Sequence, residues 1–344
     1  MHRRLEIYLH IGMNKVASTA IQEALAANRK TLLKRHSLLV PETGMGRGGR
    51  GGKSHFDLSE ALGFTNDPAF LTPDDGRIAA LRKAFDREVA RLHPRSVMMS
   101  SEFFVLRRDV ARVREFFDGM DVRIVICLRR HDEWLRSFYA QAVQSVPAPK
   151  WGRTLESFVD FQRAHRPLQL SYLDLVNAWS RSFGEGNLRL VIYREGGGPE
   201  DVIRDFLSAV GVADPSGLAL ADVRQNPSPS ANILSIVDLV QRASLPTESR
   251  RAAVSRLVAL ASDGSPSLRL HAAARHRLVA PYLAEYRELS DRFLGGRPVF
   301  DLDLGPEAQT DPGAIALPSP VLTPEIRRAL ARHLSREEIE TLVR

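Results

Sequence analysis

A chain of 344 residues, 44% of them hydrophobic, is long and apolar enough to bury a substantial core, which excludes an intrinsically disordered protein. Its one cysteine, Cys127, excludes a disulfide scaffold; it lies inside the apolar run Val122–Leu128 and reads as a small buried hydrophobe in a reducing compartment. Net charge is +7, with only six lysines among 48 basic residues. That charge is spread along the chain rather than gathered into a tail or stripe, so it describes a solvated surface hospitable to anions, not a nucleic-acid footprint.

The first residues, Met1–Arg4, lead into a run too short for a signal peptide, and no stretch approaches the roughly 20 apolar residues of a membrane span. The expectation is a soluble, unprocessed, cytoplasmic protein without integral membrane association. Leu5–His10 alternates apolar with polar or amphipathic side chains and predicts a strand. Gly12 then opens a loop, and Ile21, Ala24 and Leu25 mark the helix after it. Residues 44–53 contain six glycines and predict a mobile basic loop, either a lid over a ligand or a plain connector. From Asp74 two aspartates cap a helix whose face is Ile78, Leu81, Phe85, Val89 and Leu92.

Strands are predicted over Ser96–Ser101 and Val122–Leu128, separated by a helical pattern from Val105 to Phe117. Trp134, Leu135, Phe138, Tyr139 and Ala142 mark an amphipathic helix from His131. Leu188–Tyr193 is a further strand, and Pro199, beside Glu200 and Asp201, starts a helix that Gly211 ends. Residues 226–295 read as helical, 305–321 as a Pro/Gly-rich linker and 322–344 as short terminal helices. Strands alternating with helices imply an α/β fold, a mainly parallel sheet flanked by helices, with a helical C-terminal portion. One domain is expected over 1–304, its sheet core at about 5–215 and its helical part at about 226–295.

The segment His10–Thr19 joins a strand to a helix. Gly12 frees the backbone, and Lys15, Ser18 and Thr19 stand at the helix entrance, where unpaired N–H groups and the positive dipole end favour phosphate. It is not a Walker A loop, because Asn14 occupies the place of the glycine before the lysine. A second constellation follows the strand Val122–Leu128: Arg129 at its end and Ser137 eight residues later, on the next helix, spaced so that both can grip one phosphate.

The first loop resembles the Lys-Thr-Gly-Thr-Thr loop with which sulfotransferases bind a 5′-phosphosulfate. Lys15 matches the lysine and Ser18 and Thr19 the final hydroxyl residues, while Val16 and Ala17 replace threonine and glycine. Arg129 and Ser137 resemble the 3′-phosphate site of the same family. Gly12-Met13-Asn14-Lys15, His55 and Ser100-Ser101-Glu102 are similar to its bacterial branch, as are Tyr172–Phe183 and the strand ending in Tyr193. The resemblance covers roughly residues 5–235. It implies a P-loop-type sheet and transfer of a sulfuryl group from 3′-phosphoadenosine 5′-phosphosulfate (PAPS), leaving 3′-phosphoadenosine 5′-phosphate (PAP), without a metal. The acceptor, a hydroxyl or amine on a small molecule, carbohydrate or lipid, is left open, as is oligomeric state. The nucleotide residues it implies are Gly12, Asn14, Lys15, Val16, Ala17, Ser18, Thr19, Arg129, Ser137 and Tyr193.

In such a reaction charge builds on the leaving oxygen while the acceptor loses a proton. Lys15 is the candidate for stabilising that charge. Three residues compete as general base: Glu102, placed where other sulfotransferases keep a catalytic histidine or acid; His55; and Glu42. His10, on the strand before the loop, is expected to hydrogen-bond within the sheet rather than react. Three other readings stay open. One is a P-loop kinase or NTPase, although Val122–Leu128 ends in arginines where an aspartate is expected. Another is a family member that binds nucleotide without transfer. The last is a nucleic-acid-binding module, for which no helix-turn-helix or RNA-recognition signature is present.

Overall fold

The structure, a computed structural model, describes residues 4–46, 52–106, 109–166, 170–194, 197–220, 229–260, 262–305 and 313–342. The centre of the glycine-rich loop, residues 47–51, and residues 306–312 of the predicted linker lie outside the described residues. The chain divides into two compact units, the first made of residues 1–129, 171–225 and 283–301, the second of 130–170, 226–282 and 302–344.

The first unit holds the sheet. Its strands are β1 (Glu6–His10), β2 (Leu38–Leu39), β3 (Ser96–Ser100), β4 (Asp121–Arg129) and β5 (Leu188–Tyr193). They lie in the order β2-β3-β1-β4-β5, with every pairing parallel. A parallel strand needs a crossover, and helices supply it: α1 (Ser18–Ala27) and α2 (Arg29–His36) after β1, α3 (Phe56–Ala61) and α4 (Asp75–Leu92) before β3, and α5 (Val110–Phe116) before β4. This is the α/β architecture the sequence predicts. Parallel strands covered on both faces read as continuous apolar runs, and Ile124–Leu128 is wholly buried. Cys127 is fully buried within it, and burial pushes its thiol well above the ordinary range. In β1 both faces are covered too, so Tyr8 and His10 are buried beside Ile7 and Leu9.

The predicted helix of residues 74–92 is present with Asp74 as its cap, Oδ1 accepting from the Arg77 amide at 3.0 Å. The pattern 105–117 divides into a 3₁₀ turn, Glu102–Leu106, and α5.

The remaining helices are α6 (His131–Ser145), α7 (Leu155–His165), α8 (Tyr172–Phe183), α9 (Pro199–Ala209), α10 (Ala231–Arg242), α11 (Thr247–Ala259), α12 (Ala272–Val279), α13 (Leu283–Phe293), α14 (Pro324–Leu330) and α15 (Arg336–Leu342). Of these, α8, α9 and α13 belong to the first unit and the others to the second. In the second unit α6 packs on α10 and α12, and α11 on α10 and α14. Asp238 of α10, fully buried, accepts from Arg153 Nε at 3.0 Å and Arg242 Nε at 2.8 Å. Among the described residues no helix is long and apolar enough to cross a membrane.

Candidate functional site

In an open parallel sheet, ligands settle outside the carboxyl ends of neighbouring strands whose onward connections leave in opposite directions. Here the chain runs from β1 toward β2 on one side and from β4 toward β5 on the other, so that crevice lies between the ends of β1 and β4. Both of the sequence's anion-binding candidates in the first unit stand at it.

The loop out of β1 holds a backbone conformation that L-residues seldom adopt. Lys15 and Ala17 have φ of 64° and 58°, in the left-handed region. Alternating left-handed residues turn successive N–H groups inward and make a concavity suited to an anion. Ala17 caps α1 without a side-chain bond, and no acidic residue stands in the first turn, so the positive end of the helix is unopposed. Ser18 Oγ donates to the Met13 carbonyl at 2.9 Å and folds the loop on itself. Asn14, Lys15 and Thr19 are exposed, whereas Val16 is buried. Lys15 has no carboxylate partner among the described residues.

Gly12 is required by a close approach rather than a special angle. A Cβ there would lie 2.6 Å from both Cε1 and Nε2 of His10 and 2.7 Å from Ser18 Oγ.

Arg129, the last residue of β4, reaches across to this loop, Nη1 donating to the Lys15 carbonyl at 3.5 Å. Its guanidinium lies over the ring of Tyr193, 4.7 Å from the centroid, and the two residues pair in register between β4 and β5. Tyr172 Oη donates to the Arg129 carbonyl at 2.6 Å and fixes the strand end. Lys15, Arg129 and Tyr193 are thus brought together in one crevice. Ser137 belongs to the second unit, on α6.

The three candidate bases separate sharply. Glu102 opens the 3₁₀ turn after β3, half-buried, with Oε2 accepting from Gln22 Nε2 at 3.0 Å. His55 is a brace. It is buried, its Nδ1 accepts from the Ser100 amide at 3.0 Å, its Nε2 is 3.1 Å from the Pro41 carbonyl, and burial lowers its pKa to about 4. With both ring nitrogens committed to backbone, it is not the available imidazole that a base requires. Glu42 is solvent-exposed and 3.8 Å from Arg29. His10 behaves as the sequence suggests: Nδ1 meets Ser100 Oγ at 2.9 Å within the sheet, and burial lowers its pKa to about 3.

Gln22 was not singled out by the sequence. It lies four residues after Ser18 on the same face of α1, and a polar residue between Ile21 and Leu25 carries no motif.

No family model matches the chain. A curated relative, an uncharacterized protein of Archaeoglobus fulgidus, is 30% identical over 138 residues, 38% of this chain, and the match spans about a third of that relative's length (34%). Among solved structures, the crystal structure of a sulfotransferase from Alicyclobacillus acidocaldarius aligns with 83% of this chain and 100% of its own, at 15% identity and a TM-score of 0.36.

Proposed function

We propose that the chain is a sulfotransferase that uses PAPS as donor and a hydroxyl or amine as acceptor. The observation that carries this reading is the reach of the Arg129 guanidinium, at the end of β4, to the backbone of the Lys15 loop, whose helix end is unopposed. A donor with anionic groups at both ends needs such a pair, and the residues present suit it: inward-turned amides, an ammonium without a carboxylate partner, and a guanidinium stacked on an aromatic ring.

When bound, PAPS supplies a sulfuryl group whose S–O bond to the phosphate breaks, leaving the electron pair on the phosphate oxygen, as a new bond forms from sulfur to the acceptor. Lys15 and the amides of residues 15–19 hold the 5′ end and stabilise the charge that grows there. Arg129 takes the 3′-phosphate, to which the resemblance adds Ser137. Glu102 accepts the proton lost by the acceptor, because one of its oxygens is held by Gln22 while the other has no partner among the described residues. Positioning and charge stabilisation carry the rate, with no covalent intermediate on the protein.

A thermal-shift titration with PAP tests this. Ligand at about 100 times Kd adds about 2.7 kcal/mol of stability, and that gain shrinks sharply in Lys15→Ala, Arg129→Ala and Ser137→Ala, while ATP with magnesium gives little. Equal stabilisation by magnesium ATP would favour a kinase-like enzyme. An undiminished PAP effect in Arg129→Ala would remove the nucleotide site assigned here.

A further inference from the structure

A chain of buried polar side chains runs from the candidate base to the underside of the phosphate loop. Gln22 Nε2 donates to Glu102 Oε2 at 3.0 Å and to Ser100 Oγ at 3.2 Å, and Ser100 Oγ lies 2.9 Å from His10 Nδ1. Gln22, Ser100 and His10 are all buried.

The orientation of the Gln22 amide follows from chemistry. A carboxylate only accepts, so the group of Gln22 facing Glu102 is its NH₂, which has two hydrogens, one for each acceptor. Ser100 Oγ receives one of them and keeps one hydrogen and one lone pair for His10 Nδ1. His10 is held neutral by its burial and carries one ring proton, on Nδ1 or on Nε2. Its Nε2 has no partner among the described residues and faces the spot where a Cβ on Gly12 would sit.

We propose that Gln22, one helical turn beyond Ser18, is a positioning residue for Glu102, and that Ser100, held by the same amide, gives its hydrogen to His10 Nδ1 and so sets the tautomer of His10. The role of Glu102 rests on the sulfotransferase reading; the hydrogen-bond order does not. A carboxylate held by one oxygen presents the other in a constant direction, and a shift of about 1 Å at such a group costs up to about 100-fold in rate.

The test uses the full chain as wild type, Gln22→Met, Gln22→Glu, Glu102→Gln and the corresponding double variants. Two readouts are combined. The first is the rate at saturating PAPS with water as acceptor, followed as PAP release, with the PAP thermal shift as control for donor binding. The second is the tautomer of His10, read from ¹⁵N shifts of the imidazole. The expected result is a fall in kcat of about tenfold or more in either Gln22 variant with the PAP shift unchanged, and no further fall when Glu102 is already Gln. In the wild type His10 is protonated at Nε2, and in Gln22→Met, where the amide no longer holds the Ser100 hydroxyl, the tautomers mix. An equal loss of kcat in both Glu102 backgrounds overturns the proposal. If PAP fails to stabilise the wild type, the sulfotransferase reading falls by itself. The tautomer then decides the network, and a His10 unaltered in Gln22→Met overturns it.

Discussion

At the residue scale, the site depends on a few atoms in tight contact. Gly12 leaves room for the His10 ring and the Ser18 hydroxyl, both of which would stand under 3 Å from an added Cβ. Neither can retreat easily, since His10 is buried in the sheet and Ser18 braces the loop. Gly12→Ala is therefore expected to cost about 1–3 kcal/mol through overpacking and to abolish most of the PAP-induced stabilisation. Urea unfolding with and without PAP measures both; a variant with unchanged stability and ligand response contradicts the close approach. Lys15, Ser18, Arg129 and Glu102 were legible as candidates because their residue types sit at a strand end or helix entrance. Gln22 was not, because its importance comes from Glu102 and Ser100, both far away in sequence.

At the scale of elements, β4 is the strand on which the crevice is built. It pairs with both β1 and β5 and ends in Arg129. Ile126 is completely buried in it, and Ile126→Ala should destabilise the protein by about 2–5 kcal/mol, the span set by how far the core closes around the lost atoms. Denaturant midpoints at constant slope provide the check, and a change below about 0.5 kcal/mol would place Ile126 outside the core. The long, strongly patterned elements β4, α4 and α6 were visible in the sequence, since their apolar spacing is set by the faces they bury. Others, α3 among them, were not. β2 has two residues, too few for a period; α2, read as RKTLLKRH, has only Leu32 buried; and α7 passed without notice. Their form is imposed by what they pack against.

At the scale of the whole molecule, three buried histidines give stability a pH dependence. Burial lowers His10 and His131 to about 3 and His55 to about 4. In the unfolded chain each takes up a proton near pH 6.5. Between pH 6.5 and those lower values the unfolded state binds more protons, so stability is greatest above pH 6.5 and falls as the pH drops. Each histidine contributes a slope of up to about 1.4 kcal/mol per pH unit. Glu285, whose carboxyl is raised by burial, works in the opposite direction but is one group against three. Unfolding midpoints at pH 7 and pH 5 should differ plainly, the acid value lower; equal midpoints would mean that these imidazoles are not neutral in the fold.

By itself the sequence determined the alternation of strand and helix, the burial of Cys127 and the residue types at each strand end, because these follow from local apolar periodicity and from the chemistry of loops and caps. It placed Lys15 and Arg129 on separate segments without saying how near they lie. Only the tertiary structure decided that β1 and β4 are neighbours, that His55 is spent on backbone bonds while Glu102 keeps an oxygen available, and that Gln22 joins Glu102 to Ser100. Strand order and side-chain pairing depend on contacts between residues more than a hundred positions apart, which no local pattern encodes.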